Sequence, residues 1–263
     1  MSYKKTFLNL RKRKEKALVP FVVIGDPDYK TSLAIVKTII EAGADVLELG
    51  FPFSDPIADG PTIQAADVRS LGKGVNTNKC FKFISKVRKF TTIPIGLLVY
   101  SNLIYQRNDF FKDCKKAGVT SVLAADVPIE ESELFINDAR KNKIDTVFIV
   151  SPLTSNERLM KILKKVNGFV YVVARLGVTG AKKDVKDSTL SLIKRVKKNT
   201  KLPLCVGFGI SKPEHVKSVC KAGADGAIVG SALVKIIAKN KNNKKLLLKK
   251  VHNFIKSLKA ATK

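Results

Sequence analysis

The chain has 263 residues, 45% hydrophobic and 27% charged, enough apolar material to bury a core and too much for a disordered chain. Its 49 basic against 22 acidic residues leave a net charge of +27. The basic residues spread over nearly every predicted helix, with no Trp and no nucleic-acid motif, so the charge reads as surface bias, with no specific nucleic-acid partner expected.

No apolar run approaches the ~18–20 residues of a membrane span, so no membrane partner is expected. The N-terminal MSYKKTFLNLRKRKEK lacks the apolar segment of a secretory signal. Cys80, Cys114, Cys205 and Cys220 lie far apart without a CxxC pair and read as reduced thiols of a cytoplasmic protein.

The spacing of Phe7, Leu8 and Leu10 predicts a first helix over 2–14, with RKRK (11–14) on its wet face. ALVPFVVIG (17–25) reads as a buried strand. A helix follows over 30–42, where Leu33, Ile35, Val36, Ile39 and Ile40 recur at helical spacing and Gly43 stops it. DVLELG (45–50), PIGLLVY (94–100), SVLAADV (121–127), TVFIVSP (146–152), GFVYVVAR (168–175), PLCVGFG (203–209) and GAIVG (226–230) complete a set of eight strands. Helical patterns lie between them around 77–89, 107–117, 130–142, 155–165, 187–199 and 212–222, and another follows at 231–239. A last stripe of Leu247, Val251, Phe254, Ile255 and Leu258 predicts a packed C-terminal helix.

Each strand is short and apolar on both faces, as parallel strands under helices are. EAGADVLELG (41–50) and KAGADGAIVG (221–230) are near copies, and KKAGVTSVLAAD (115–126) is a looser third. A βα unit repeated eight times, with no linker between halves, predicts a single-domain (β/α)8 TIM barrel over 1–263. The extra N-terminal helix would plug its bottom. An open doubly wound sheet is the alternative.

In such barrels the reacting groups sit at the C-terminal ends of the strands and in the loops that follow. Those positions carry Asp26, Glu48, Asp55, Asp59, Tyr100, Asn102, Asp126 and Arg175. No strand interior holds a Lys, which argues against a Schiff-base mechanism. His215 and His252 both fall in helical patterns, so no metal site is expected. What remains is proton transfer by carboxylates.

Glu48 interrupts an otherwise apolar strand. A carboxylate there either pairs with a buried donor or has its pKa moved toward neutrality. Asp59 stands in a Pro- and Gly-rich loop, and is either a turn residue or a second acid of the site. Asp55 and Asp126 lean toward structural roles. GFG (207–209) after the seventh strand and Gly230-Ser231 after the eighth suit an anion pocket of backbone N–H groups. LGVTGAKKDVKDS (176–188) suits a lid over a phosphorylated ligand.

These runs, in order, resemble a known family: PFVVIGDP, LELGFPFSDPIADGPTIQ, LLVYSNLIY, VLAADVPIEE, RLGVTGA, VGFGISKPEHV and GAIVGSALVKII are similar to the tryptophan synthase alpha chain over essentially the whole length. Val23 and Ala174 stand where that family often carries Thr and Ser. The resemblance implies retro-aldol cleavage of indole-3-glycerol phosphate to indole and glyceraldehyde 3-phosphate, with Glu48 and Asp59 catalytic. It implies phosphate contacts at Gly180, Gly209, Gly230 and Ser231. An indole pocket would form from Phe21, Leu98, Tyr100, Leu123, Ala125, Ile149, Tyr171 and Phe208, and Thr179 would meet the catalytic Asp when the lid closes. It further implies a beta chain as partner in an αββα heterotetramer. Pyridoxal phosphate is then expected only in that partner, and no cofactor in this chain. Another phosphate-binding barrel and a basic polyanion binder are the competing readings.

Overall fold

A computed structural model describes residues 2–173, 184–207 and 209–263, with the backbone alone for 184–188. Nine parallel strands form one sheet: β1 (Ala17–Val23), β2 (Leu47–Gly50), β3 (Ile95–Val99), β4 (Ser121–Ala124), β5 (Asp145–Thr146), β6 (Phe148–Val150), β7 (Val170–Val173), β8 (Leu204–Gly207) and β9 (Gly226–Val229). The order β5-β4-β3-β2-β1-β9-β8-β7-β6 puts β5 and β6 at its two ends. Only Val147 separates them in sequence. They are the halves of one strand, the first paired to β4 and the second to β7. The sheet thus curls round on itself into the expected (β/α)8 barrel, with the predicted 146–152 strand broken in the middle. Above the break the β4 ladder stops, and a cavity of about 460 Å³ opens there, lined by Ala125, Asp126, Ile149, Ser151 and Arg158 among others.

Alternate strand residues face inward. Ala17, Val19, Val46, Leu123, Val147, Phe169, Cys205 and Ile228 fill the interior together with Tyr3, Phe7 and Leu10 of the N-terminal helix Tyr3–Lys12. The plug is specific: Tyr3 reaches between strands to make a 2.7 Å hydrogen bond with Ser121 Oγ and packs its ring edge-on to Phe169. Outward-facing residues such as Leu18, Leu47, Leu97, Val122 and Val206 form the larger layer beneath the helices. The C-terminal helix Lys244–Ala260 buries Leu247, Val251, Ile255 and Leu258, as its stripe predicts.

The near-copied segments have a physical reason. Asp45 donates its backbone N–H to the Leu18 carbonyl and accepts the Leu18 N–H on its side chain at 2.8 Å. Asp225 does the same to Leu204, with a 3.0 Å side-chain bond. Thr120 clamps Ile95 and Asn167 clamps Thr146 in this way, at 3.1 and 2.6 Å. Each clamp satisfies a strand-start donor at the barrel bottom that would otherwise be left bare. They recur at every second strand position round the barrel.

The helix Pro61–Leu71 has no counterpart in the sequence reading, which places no element between the second strand and the helical pattern at 77–89. Its buried face is Ile63, Ala66, Asp67 and Ser70, half polar, so no apolar period announces it. A five-residue helix, Ser101–Tyr105, was also not anticipated.

Lys259 joins the C-terminal helix to the barrel bottom, donating to Glu15 Oε2 at 3.0 Å and Asp45 Oδ2 at 2.9 Å. Removing one member of a largely buried charge cluster strands the others. Lys259→Met is therefore expected to cost about 3 kcal/mol in chemical denaturation, and adding Asp45→Asn to recover part of that loss.

Candidate active site

The register of the sheet gathers residues far apart in sequence. Phe21 on β1 lies beside Glu48 on β2, Gly50 beside Leu98 on β3, Leu98 beside Leu123 on β4, and Ile149 on β6 beside Tyr171 on β7. Neighbours in parallel register share a face, so these side chains form one ring inside the barrel, above the N-terminal plug. Two glycines make room for it. A Cβ on Gly50 would stand 2.7 Å from the Phe21 ring, and one on Gly207 would stand 2.6 Å from the Tyr171 hydroxyl.

Glu48 is 4% exposed, and its Oε2 is buried with no hydrogen-bond partner among the described residues. No Arg or Lys forms an ion pair with it among those residues, so the structural explanation of an acid in this strand does not hold. Burial pushes its carboxyl up to about 8, and the charge of Asp59 adds to the shift. Tyr3, Tyr171 and Cys205 all feel its charge, which puts Glu48 at the centre of the interior.

Asp59 lies in the segment that joins β2 to the helix Pro61–Leu71. Tyr100, at the end of β3, donates its hydroxyl to Asp59 Oδ2 at 2.6 Å and accepts the Ala58 N–H at 3.1 Å. Gln64 Nε2 donates to the Asp59 carbonyl at 2.8 Å. The acid is thereby held from two sides. Burial raises its pKa above the usual carboxylate value, and the Tyr100 hydrogen bond opposes that rise. Glu48 and Asp59 are thus two carboxyls in sight of each other, one dry and without an ion-pair partner among the described residues, the other hydrogen-bonded. Environments that differ in this way drive two pKa values apart and divide acid from base.

The remaining expected positions fall as follows. Phe21, Tyr100 and Leu123 are buried, while Leu98, Ala125, Ile149 and Tyr171 are partly buried along the same inner wall. Gly209 follows β8 with φ of +80°, a conformation that suits glycine. Gly230 is the N-cap of the helix Ser231–Asn240 and supplies no side-chain acceptor to its first turn. Thr179, Gly180 and Phe208 lie outside the described residues, as does most of the expected lid. Asp126 has the scaffold role expected of it, accepting Ser101 N–H at 2.7 Å and Ser101 Oγ at 2.8 Å.

Sequence reasoning missed Gln64, Asp67 and Arg69, because all three sit on the unrecognised helix. Arg69 makes a two-pronged ion pair with Asp26 at 2.7 and 3.0 Å, which accounts for the acid at the end of the first strand. The Gly60-Pro61 pair was the available signal, since Pro favours the first helical position after an N-cap. Among the described residues no group of three His, Cys, Asp or Glu could hold a metal ion, and no helix is long and apolar enough to cross a membrane.

Comparison with known proteins agrees with this geometry. The family model described as "Tryptophan synthase alpha chain" matches residues 7–263. The tryptophan synthase alpha chain of Methanothermobacter thermautotrophicus is 52% identical over 263 residues, 99% of this chain and 96% of that one. The solved alpha subunit from Legionella pneumophila superposes with a TM-score of 0.91 at 32% identity, covering 100% of this chain and 98% of that chain. A chain of the Pyrococcus furiosus tryptophan synthase a2b2 complex gives 0.86 at 37% identity, covering 93% and 98%. The chain belongs to the tryptophan synthase alpha chain family.

Proposed function

We infer that the chain is the alpha subunit of a tryptophan synthase and cleaves indole-3-glycerol phosphate to indole and glyceraldehyde 3-phosphate. The observation that carries the chemistry is the buried Glu48 carboxyl inside the barrel, whose Oε2 has no hydrogen-bond partner among the described residues.

With its pKa near 8, Glu48 is neutral at pH 7 and delivers its proton to indole C3. Positive charge then develops on the ring, and the Asp59 carboxylate stabilises it at the indole N–H. The Glu48 carboxylate next takes the proton of the hydroxyl on the carbon bonded to C3. That bond breaks, its electron pair restores the indole, and the hydroxyl-bearing carbon becomes the aldehyde of glyceraldehyde 3-phosphate. Glu48 ends as it began, protonated. These proton transfers and one bond cleavage account for every atom and electron, so the step calls for no cofactor.

Phe21, Leu98, Tyr100, Leu123, Ala125, Ile149 and Tyr171, with Phe208, form the indole wall in this reading. The backbone at Gly209, Gly230 and Ser231, with Gly180, holds the phosphate, and Thr179 meets Asp59 from the lid.

The partner is a beta chain, in an αββα assembly like the a2b2 complex named for the Pyrococcus furiosus relative, and pyridoxal phosphate belongs to that chain. Ile57 and Leu153, 83% and 95% exposed on loops of the barrel mouth, support a covered surface there. We read residues 1–263 as one domain, because both terminal helices pack on the barrel. Four unpaired cysteines support a cytoplasmic location.

Incubating the purified chain with indole-3-glycerol phosphate, with and without a beta chain, and following indole tests the assignment. Glu48→Gln is expected to lower indole release by about 10³-fold, with an unchanged circular dichroism spectrum. Retained turnover in that variant would overturn the mechanism.

The pH profile follows from the same two acids. The reaction needs Glu48 protonated and Asp59 ionised. Activity should fall as pH rises through about 8, and fall again in acid at a pH above the ordinary Asp range. Stability is linked to the same group. The Glu48 pKa is raised in the folded state, so its contribution is fully present below the unfolded value of 4.5 and is lost as pH rises through 8. At ~1.4 kcal/mol per pKa unit the loss approaches about 5 kcal/mol. Glu48→Gln should therefore melt at a higher temperature than the parent above pH 8, measured by calorimetry.

A further inference from the structure

The helix Pro61–Leu71 begins two residues after Asp59, so its position governs the chain on which that acid stands. Gln64 adds a second link, its Nε2 donating to the Asp59 carbonyl at 2.8 Å. The bonds that hold the helix itself lie at its other end. Arg69 donates from Nε and Nη2 to the two carboxylate oxygens of Asp26 at 2.7 and 3.0 Å, and the Ser70 hydroxyl donates to the Ile24 carbonyl at 2.6 Å. Both acceptors belong to the segment that leaves β1. The approach is close: a Cβ on Gly25 would stand 2.7 Å from Ser70 Oγ. Between the two ends, Ile63 and Ala66 pack with Phe21 and Val23 of β1 and with Val234 of the helix Ser231–Asn240.

The Asp26 side chain is 1% exposed and that of Arg69 is 21% exposed. A pair this dry is often no more stabilising than apolar residues of similar volume, so stability alone does not account for it. Its geometry supplies something packing does not. Two parallel N–H···O bonds fix the plane of the guanidinium, and with it the roll of the helix about its axis. Eleven residues at 1.5 Å each make a rod of about 16 Å. A rod clamped at its far end holds its near end, where Asp59 joins it.

We propose that Arg69 is a positioning residue: it locks the far end of the helix Pro61–Leu71 to Asp26 and so sets, through Gln64, where Asp59 stands at the indole nitrogen. The proposal rests on the reading of Glu48 and Asp59 given above. Neither Arg69 nor Asp26 touches a reacting atom in it.

The test compares the parent chain with Arg69→Met, with Arg69→Met plus Asp26→Asn, with Gln64→Ala, and with all three substitutions together. Arg69→Met alone strands a buried carboxylate and is expected to lower the melting temperature. Adding Asp26→Asn removes the stranded charge and should recover much of that loss, while the helix stays unlocked. The kcat of this double variant for indole-3-glycerol phosphate is nonetheless expected to remain about tenfold below the parent, within the ~10²-fold that a misplacement of ~1 Å can cost. KM should stay within about threefold, since the lost contact is one made in the transition state. Gln64→Ala should lower kcat to a similar extent. Because both changes cut one linkage, the triple variant should fall little further than the double. Hydrogen exchange in the free protein is expected to speed up in peptides spanning 51–60 in the double variant, and to be unchanged in the helix Lys244–Ala260.

A double variant with the parent's kcat overturns the proposal, whatever its stability. So do losses that multiply in the triple variant, or exchange in 51–60 that matches the parent. The exchange measurement uses no substrate. If no protein, parent included, releases indole while exchange in 51–60 still follows the expected order, the lyase reading fails and the locking of the helix by Arg69 stands.

Discussion

The structure turns on the cost of keeping one carboxyl dry. Glu48 stands in a strand whose other residues are apolar, inside a barrel packed with aromatic and aliphatic side chains, and one of its oxygens has no partner among the described residues. Burial of that kind is unfavourable for the charged form and leaves the group protonated near neutrality. The same burial that weakens the fold at alkaline pH keeps a proton on the carboxyl near neutrality, and in the lyase mechanism proposed above that sets stability and chemistry against each other at a single side chain.

The surroundings of Glu48 answer to this constraint. Burial raises the pKa of Asp59 too, but Asp59 has a 2.6 Å hydrogen bond from Tyr100 that opposes the rise, and a carbonyl held by Gln64. The Tyr100 hydroxyl is itself fixed by the Ala58 N–H. Glycines at 50 and 207 leave space for Phe21 and Tyr171 beside the buried acid. Arg69 neutralises Asp26 nearby, so fewer unpaired charges compete for the little solvation the barrel mouth offers.

Much of this was legible in the residues, for identifiable reasons. The strand positions showed because parallel strands buried on both faces leave continuous apolar runs, and Glu48 showed because it breaks such a run. The division of the fifth strand at Val147 did not show, since Val is as apolar as its neighbours and the break depends on which ladders flank it. The helix Pro61–Leu71 was illegible because its buried face is half polar. Its inner face carries Asp67 and Ser70 where an amphipathic pattern needs apolar residues. Tyr100 was expected as part of an apolar wall, and its hydroxyl bond to Asp59 had no sequence signature. The resemblance to a family supplied Asp59, which its loop context alone left as either a turn residue or an acid of the site.

The clamps at Asp45, Thr120, Asn167 and Asp225 have a consequence beyond holding strand ends. Through its side chain each joins one strand to its successor, while only backbone hydrogen bonds, such as Asp145 N–H to the Thr120 carbonyl and Ala17 N–H to the Asp225 carbonyl, reach the following pair. The cylinder is therefore laid out as four consecutive two-strand quarters, each latched by its own polar side chain. A seam falls between one quarter and the next. Such a layout suits assembly by duplication of a small ancestral piece, and it marks the seams as the natural places to cut and rejoin the polypeptide.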